Sequence, residues 1–178
     1  MLPDLVTRLR SYADGTISRS ELDAWLLPIF VADPLDVAQS DAAGWERAPD
    51  ETRLFWRLAY LIDSAAGDEA ETRRLVGRVV RCLERSRSAA TTLELLPLVA
   101  DQERLCRVVA RHAQGIVSRT SFLSLVAESG YPPHVKLWLR HADGEALARL
   151  CARLAEGDYE VVAPMLERAP DAGEDDLA

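Results

Sequence analysis

The sequence predicts an all-α protein of about nine helices, built from two related helical halves that share one core. The first observation is a segment used twice: residues 5–30, LVTRLRSYADGTISRSELDAWLLPIF, return at an offset of 100 as residues 105–130, LCRVVARHAQGIVSRTSFLSLVAESG. The second is that apolar residues elsewhere recur at helical spacing. The third is that no alternating pattern typical of a strand appears in the sequence.

Each copy of the repeated segment predicts a helix, a tight turn and a second helix. Gly15 and Gly115 suit the left-handed conformation that closes a helix. Ser18 and Ser118 can accept hydrogen bonds from the first free N–H groups of the following helix. In the first copy Glu21 completes a capping box with Ser18.

The remaining elements follow in chain order. Residues 33–50 are irregular and predict a loop with one short helical turn. A stripe of leucines from about Asp50 predicts a helix that ends at Gly67, and Asp68 begins an arginine-rich helix with Glu71 at capping-box spacing. Further helices are predicted from near Ser88 with a bend at Pro97, after the Tyr131-Pro132-Pro133 breaker, over Ala146 to Leu154, and from a cap at Asp158 to about Arg168.

These elements predict a single domain over residues 1–168, with halves of about 1–100 and 101–168. Both halves have wide apolar faces, which favours one common core. Residues 169–178 have the sequence APDAGEDDLA. Their small and acidic side chains predict a disordered tail.

Composition restricts the function and the location. The formal net charge is −8, with 29 acidic against 21 basic side chains, which argues against a nucleic-acid binder and favours a basic protein partner. The N-terminus lacks a secretory-signal pattern, and no apolar run is long enough to span a membrane. Three widely separated cysteines fit free, buried thiols in a reducing compartment. We therefore expect a cytoplasmic protein without membrane contact.

Motifs for chemistry are weak in this sequence. Residues 14–22 match the second half of an EF-hand calcium loop, but Arg10 and Tyr12 occupy positions where oxygen ligands are required. His134 and His141 lack a third metal ligand at suitable spacing. No nucleophile motif or phosphate-binding loop occurs. The sequence thus predicts no metal, no cofactor and no catalytic residue.

Charge is distributed unevenly along the chain. Residues 33–71 hold ten acids and three arginines, a net −7, whereas residues 72–100 hold six arginines and two acids, a net +4. One interpretation is internal compensation between the acidic loop and the arginine helix. The other is an acidic surface that steers a basic protein partner toward the chain. Trp45, inside the acidic stretch, either pins the loop or contacts a partner.

The chain contains two Gly-x-Ile/Val-Ser-Arg turns, Gly15–Arg19 and Gly115–Arg119, and further helices over residues 54–84. In these features it resembles bacterial immunity proteins of the colicin-like type. These proteins are found beside polymorphic and contact-dependent toxins. The resemblance covers residues 5–84, with residues 105–130 as a second copy, and this duplication departs from the simplest members. It implies an acidic helical protein that binds and neutralises a cognate toxin, such as a basic nuclease, without catalysis.

The charge pattern and this resemblance together predict the partner-contact residues. They are Asp33, Asp36, Asp41, Trp45, Glu46, Asp50 and Glu51, followed by Asp68, Glu69 and Glu71. The alternative function is a helical-repeat adaptor that binds another protein partner in an apolar groove between the halves. A small enzyme comes third, and a buried polar cluster with shifted titration would favour it.

Overall fold

The computed structural model describes residues 1–31, 45, 47–65 and 68–168. Within these ranges the chain forms ten numbered α-helices and no strand, which confirms the all-α prediction and lies close to the predicted nine. The helices are α1 (Leu2–Ala13), α2 (Arg19–Val31), α3 (Asp50–Asp63), α4 (Glu69–Arg85), α5 (Ala89–Ala100), α6 (Gln102–Ala113), α7 (Arg119–Glu128), α8 (Pro133–His141), α9 (Gly144–Glu156) and α10 (Tyr159–Glu167).

The chain divides into two compact units, and the division falls inside α5. The first unit comprises the described residues up to Glu84 together with Ser88–Leu93, and the second comprises Arg85–Arg87 and the described residues from Glu94 onward. In the first unit α1 packs against α2 and α3. In the second, α6 packs against α7 and α9, while α10 packs against α8 and α9. The prediction of a single shared core stays a prediction.

The repeated turn has the same hydrogen bonds in both copies. Gly15 and Gly115 have positive φ values of 76° and 72°. The Gly15 N–H donates to Tyr12 and the Thr16 N–H to Ser11, and in the second copy Gly115 and Ile116 donate to His112 and Arg111. This pair of bonds defines a Schellman motif, which satisfies the last carbonyl groups of α1 and α6.

Ser18 and Ser118 then begin the next helix as predicted. The N–H of Glu21 donates to the Ser18 hydroxyl at 3.2 Å, and the Ser18 N–H donates to the Glu21 carboxylate at 2.7 Å, which confirms the capping box. In the second copy the N–H of Ser121 donates to the Ser118 hydroxyl at 3.1 Å. Since residue 121 is a serine, that copy keeps the cap without the carboxylate.

The duplication extends beyond the segment visible in the sequence. The Arg19 guanidinium donates to the Ile62 carbonyl at 2.9 Å, and the Arg119 guanidinium donates to the Ala142 carbonyl at 3.2 Å. The two acceptors lie 80 positions apart. At this same offset four of the six buried residues of α3 coincide with buried residues in or directly after α8: Phe55 with Val135, Leu58 with Trp138, Ala59 with Leu139 and Ile62 with Ala142.

The last two helices of each half also correspond. The Asp68 carboxylate accepts from the Glu71 N–H at 2.8 Å, and the Asp143 carboxylate accepts from the Ala146 N–H at 2.8 Å, so α4 and α9 begin alike at an offset of 75. Helices α5 and α10 each contain a proline three positions before their last residue, Pro97 and Pro164. Each half therefore has five helices in the same order, with matching contacts at the helix ends.

The first copy carries a long addition. Between the turn serines and the third helix the offset falls from 100 to 80, so the first half has 20 more residues there. Residues 32–49 connect α2 to α3, whereas residues 129–132 connect α7 to α8. The longer connection holds four acids and one arginine, and the shorter one, Ser-Gly-Tyr-Pro, holds no charge.

Pro28 and Pro97 each lie three residues before the end of their helix, α2 and α5, and the predicted bend at Pro97 stays a prediction. One local expectation is corrected. Asp158 precedes α10 without a side-chain cap bond. Its carboxylate instead pairs with Arg85 at 3.2 Å and with Arg153 at 3.3 Å.

The cysteines also differ from expectation. All three thiols are free, but only Cys82 is buried. Cys106 in α6 and Cys151 in α9 are partly exposed.

Candidate partner-binding surface

Part of the predicted contact surface lies outside the described residues. This holds for four acids of the long connection: Asp33, Asp36, Asp41 and Glu46. Trp45 is described and lies in helical backbone, half-buried, with its carbonyl accepting from the Ala48 N–H at 3.2 Å. That half-buried position leaves both interpretations of Trp45 open.

Asp50 and Glu51 form the first turn of α3, and both are exposed. Asp50 forms an ion pair with Arg53 at 3.3 Å, one helical turn further on. Carboxylates are favourable at this position because the N-terminus of a helix carries a partial positive charge. These two acids continue the acidic connection into the first described turn of α3.

Asp68, Glu69 and Glu71 are exposed at the start of α4, where two of them have structural contacts. Asp68 caps the helix, and Glu69 pairs with Arg73 at 2.5 Å. The Glu69–Arg73 pair is the kind of internal compensation that the charge pattern allowed. Because Asp68 caps α4, its presence at this position is explained by the fold and does not require a protein partner.

The two groups of acids lie at different ends of α3. Arg73, one turn into α4, donates to the Tyr12 carbonyl at 2.8 Å, beside the turn from which Arg19 reaches Ile62 at the carboxyl end of α3. Asp50 begins the same helix, and 14 residues of α-helix extend about 20 Å. The described acids therefore form two separate groups, and the one beside the long connection is Asp50 with Glu51.

An apolar patch lies at the end of α2, where the long connection of residues 32–49 begins. Leu27 and Val31, one turn apart on α2, are 63% and 80% exposed. The Phe30 ring packs on Tyr60 of α3 at 5.4 Å between centroids and on Trp56 at 6.3 Å. We call Leu27, Phe30, Val31 and Tyr60 the α2 patch.

The sequence analysis missed the α2 patch, although a signal was present. Residues 26–31, LLPIFV, are continuously apolar over more than one helical turn. A helix with one buried stripe requires only part of such a run, so the excess residues have to face outward. Leu22 and Leu26 take the buried positions, and Leu27 and Val31 are left exposed.

A cavity in the second unit is too small for a substrate. Its volume is about 20 Å³, close to that of one water molecule, and it lies between α6, α7 and Tyr131. The Tyr131 hydroxyl donates to Asp101 at 2.6 Å. Burial, followed by this hydrogen bond, raises the pKa of Tyr131, so the phenol stays protonated. The pair ties the 129–132 connection to the start of α6.

Histidine and carboxylate side chains are common metal ligands. Among the described residues, no group of three or more His, Cys, Asp or Glu side chains has the arrangement to hold a metal ion. His112 is engaged locally: its ring stacks on Phe122 at 5.5 Å, and its Nδ1 lies 2.8 Å from the Val117 carbonyl oxygen. At Gly15, the EF-hand-like segment is a Schellman turn.

Within the described ranges, none of the helices combines the length and the apolar character needed to cross a membrane. Comparison with protein-family models, with curated proteins and with solved structures found no match to this chain.

Proposed function

We propose that this chain is a cytoplasmic, non-catalytic protein that binds and neutralises a cognate bacterial protein toxin. The observation that carries the proposal is the asymmetry between the two copies. Only the first has the 20 additional residues, and they bring four acids into a connection that is otherwise four uncharged residues. Loops on a rigid scaffold are where binding residues concentrate.

The α2 patch supports a protein as the partner. Apolar and aromatic side chains form the centre of protein interfaces, and charged residues form the rim. Here Leu27 and Val31 stand at one end of the acidic connection, and Asp50 with Glu51 stand at the other. An apolar patch beside an acidic connection fits a basic protein partner.

The charge of the connection supports the nuclease class of toxin. Nucleases bind polyphosphate through basic surfaces, and an acidic protein surface is complementary to them. Opposite charges accelerate association and make it dependent on salt. The proposal therefore predicts a rapidly formed complex that weakens as the ionic strength rises.

The first experiment isolates the partner from the native host with the full chain as bait. A single stoichiometric basic protein, retained at low salt, is the expected result. Its toxicity on expression and rescue by co-expression of this chain then test neutralisation. Several partners, or one insensitive to salt, would support the helical-repeat adaptor instead.

Two sets of variants test the surface. Reversing Asp36, Asp41 and Glu46 to lysine should weaken binding at least tenfold, mainly through slower association. The matched control reverses Glu128, Glu156 and Glu167, which are exposed last residues of α7, α9 and α10. Lysine suits those positions because helix C-termini carry a partial negative charge.

The second set addresses the α2 patch. Leu27→Asp with Val31→Asp should abolish binding while the protein stays folded, because both side chains are already exposed. Ile116→Asp with Leu137→Asp is the control in the second unit, where these residues are 68% and 57% exposed. Equal losses in both sets would remove the first-copy surface from the proposal.

A further inference from the structure

Two cysteines that are distant in the sequence meet in the second unit. Cys106 of α6 and Cys151 of α9 lie 45 residues apart, and the Cys106 sulfur lies 4.0 Å from the Cys151 carbonyl oxygen. Helices α6 and α9 have the most extensive packing of any two helices in the described chain, so this arrangement is held by the scaffold.

The pair is accessible as well as adjacent. Both cysteines are partly exposed, whereas Cys82 in α4 is fully buried. A small oxidant in solution therefore reaches Cys106 and Cys151 without local unfolding, and it does not reach Cys82. Thiol oxidation follows exposure and thiolate character.

The two thiols are chemically unequal. The hydrogen bond from the Cys151 thiol lowers the pKa of Cys106, although burial acts in the opposite direction. The same hydrogen bond, followed by burial, raises the pKa of Cys151. Cys106 is thus the better nucleophile, and Cys151 keeps a proton that it can give away.

We propose that Cys106 and Cys151 are a thiol oxidation site that closes to an intramolecular disulfide on exposure to a peroxide. The geometry that carries the proposal is the approach of the Cys106 sulfur to the backbone of Cys151, 4.0 Å from its carbonyl oxygen, between the packed helices α6 and α9. Closure to a disulfide requires rotation of both side chains until the sulfurs are about 2.0 Å apart.

The reaction balances in two steps with hydrogen peroxide as the oxidant. The Cys106 thiolate attacks one peroxide oxygen, the O–O bond breaks, and the released hydroxide takes a proton to form water. Cys106 is then a sulfenic acid. The Cys151 sulfur attacks the Cys106 sulfur, its proton passes to the departing hydroxide, and a second water leaves. Two thiols are oxidised by two electrons, and one peroxide is reduced to two waters.

The disulfide would join the first and the fourth helices of the second half, α6 and α9. It would close a loop of 45 residues, and cross-links across long loops restrict the unfolded chain most. The oxidised protein should therefore melt about 5 °C or more above the reduced protein.

The test exposes the full folded chain to hydrogen peroxide and follows thiols and intact mass. The expected product has lost two hydrogen atoms, retains one free thiol, and regains all three after dithiothreitol. Digestion without reduction should yield a linked peptide that contains Cys106 and Cys151. Cys82→Ser is the matched control, and it should form the same disulfide.

Single substitutions separate the two sulfurs. Cys151→Ser should stop at a sulfenic acid on Cys106 that a dimedone probe traps, and Cys106→Ser should react more slowly with peroxide. Should either variant fail to fold, the wild-type peptide map decides alone. Three unreacted thiols, or disulfides formed only between molecules, would overturn the proposal.

Discussion

The two halves have five helices in the same order but join their first and fourth helices differently. In the first half, arginines span α1 and α4: Arg10 pairs with Glu84 at 2.7 Å, and the Arg73 guanidinium lies 4.8 Å above the Tyr12 ring. In the second half, a buried amide connects the corresponding helices, since the Gln102 side chain of α6 donates to the Leu154 carbonyl of α9 at 2.9 Å. One helix pair is bridged by exposed charges, and the other by neutral groups in close contact.

The comparison separates what the fold requires from what each copy is free to change. Both copies keep the left-handed glycine, the serine cap, the arginine that reaches a carbonyl, and the capping aspartate. These contacts satisfy backbone groups at helix ends, and a buried backbone group without a partner is costly. Side-chain contacts between helices carry no such obligation, and there the copies diverge.

The largest expected effect is at matched core positions. Leu22 and Phe122 occupy the same place in α2 and α7, and both are fully buried. Leu22→Ala should lower the free energy of unfolding by about 3 kcal/mol, and Phe122→Ala by about 4 kcal/mol. The second loss is larger because Phe122 also stacks on His112 and lies 5.4 Å from the Arg119 guanidinium. Urea denaturation followed by circular dichroism measures both.

The same experiment tests the shared-core prediction. With one core, either substitution moves a single transition of the whole chain. Separate transitions, each moved by only one substitution, would contradict the shared core. The exposed positions Leu27→Ala and Ile116→Ala are the controls and should change stability by less than about 0.5 kcal/mol.

A smaller effect distinguishes the two left-handed glycines. Gly15→Ala and Gly115→Ala should each cost about 1 kcal/mol, because a side chain strains a positive φ. Gly15→Ala should cost a few tenths more. Its Cβ would lie 3.1 Å from the Arg73 guanidinium that donates to the Tyr12 carbonyl, while at Gly115 no atom lies within 4 Å.

Gly77→Ala is the control of opposite sign. Gly77 lies inside α4, and a Cβ there has open space within 4 Å. Alanine should therefore stabilise the protein by about 0.5–1 kcal/mol. Denaturation midpoints of the three variants test the series, and a gain at Gly15 would contradict the role of the turn.

These local devices explain how much the sequence could predict. Helix ends depend on neighbouring residues, so Ser18, Glu21 and Asp68 were identified with their partners. The sequence did not reveal the duplication of the later helices, because the insertion changes the offset between the two copies from 100 to 80. Residues of the later helices therefore no longer align at the offset that reveals the first repeat. Its signature is a contact, Arg19 with Ile62, that no local pattern encodes.

For the candidate partner-binding surface, too, the sequence showed local features but not those that depend on tertiary packing. The acidic connection was visible as composition, but the α2 patch depends on which residues of a continuous apolar run face outward. That choice is made by the packing of Leu22 and Leu26 in the core. The meeting of Cys106 with Cys151 is likewise tertiary, since it depends on the pairing of α6 with α9.

The smallest effect concerns the one difference inside the repeated cap. Hydrogen bonds from the Ser18 backbone N–H and then from its hydroxyl lower the pKa of Glu21 below its ordinary value of 4.5. A carboxyl with a lowered pKa stabilises the folded state above its ordinary pKa, and this contribution is lost as the pH falls through the lowered value. The difference in urea midpoint between wild type and Glu21→Gln should thus be present at pH 7 and vanish in acid. Ser121 does not titrate in this range, so the second copy lacks this dependence.

Transplanting the carboxylate tests the comparison directly. Ser121→Glu places a glutamate three residues after Ser118, where the backbone already forms the same cap as in the first copy. It should therefore stabilise the protein at pH 7 and lose that gain in acid, as Glu21 does. The double variant Glu21→Gln with Ser121→Glu should match wild type at every pH. A Ser121→Glu variant whose midpoint shift is independent of pH would show that the two caps differ in more than this side chain.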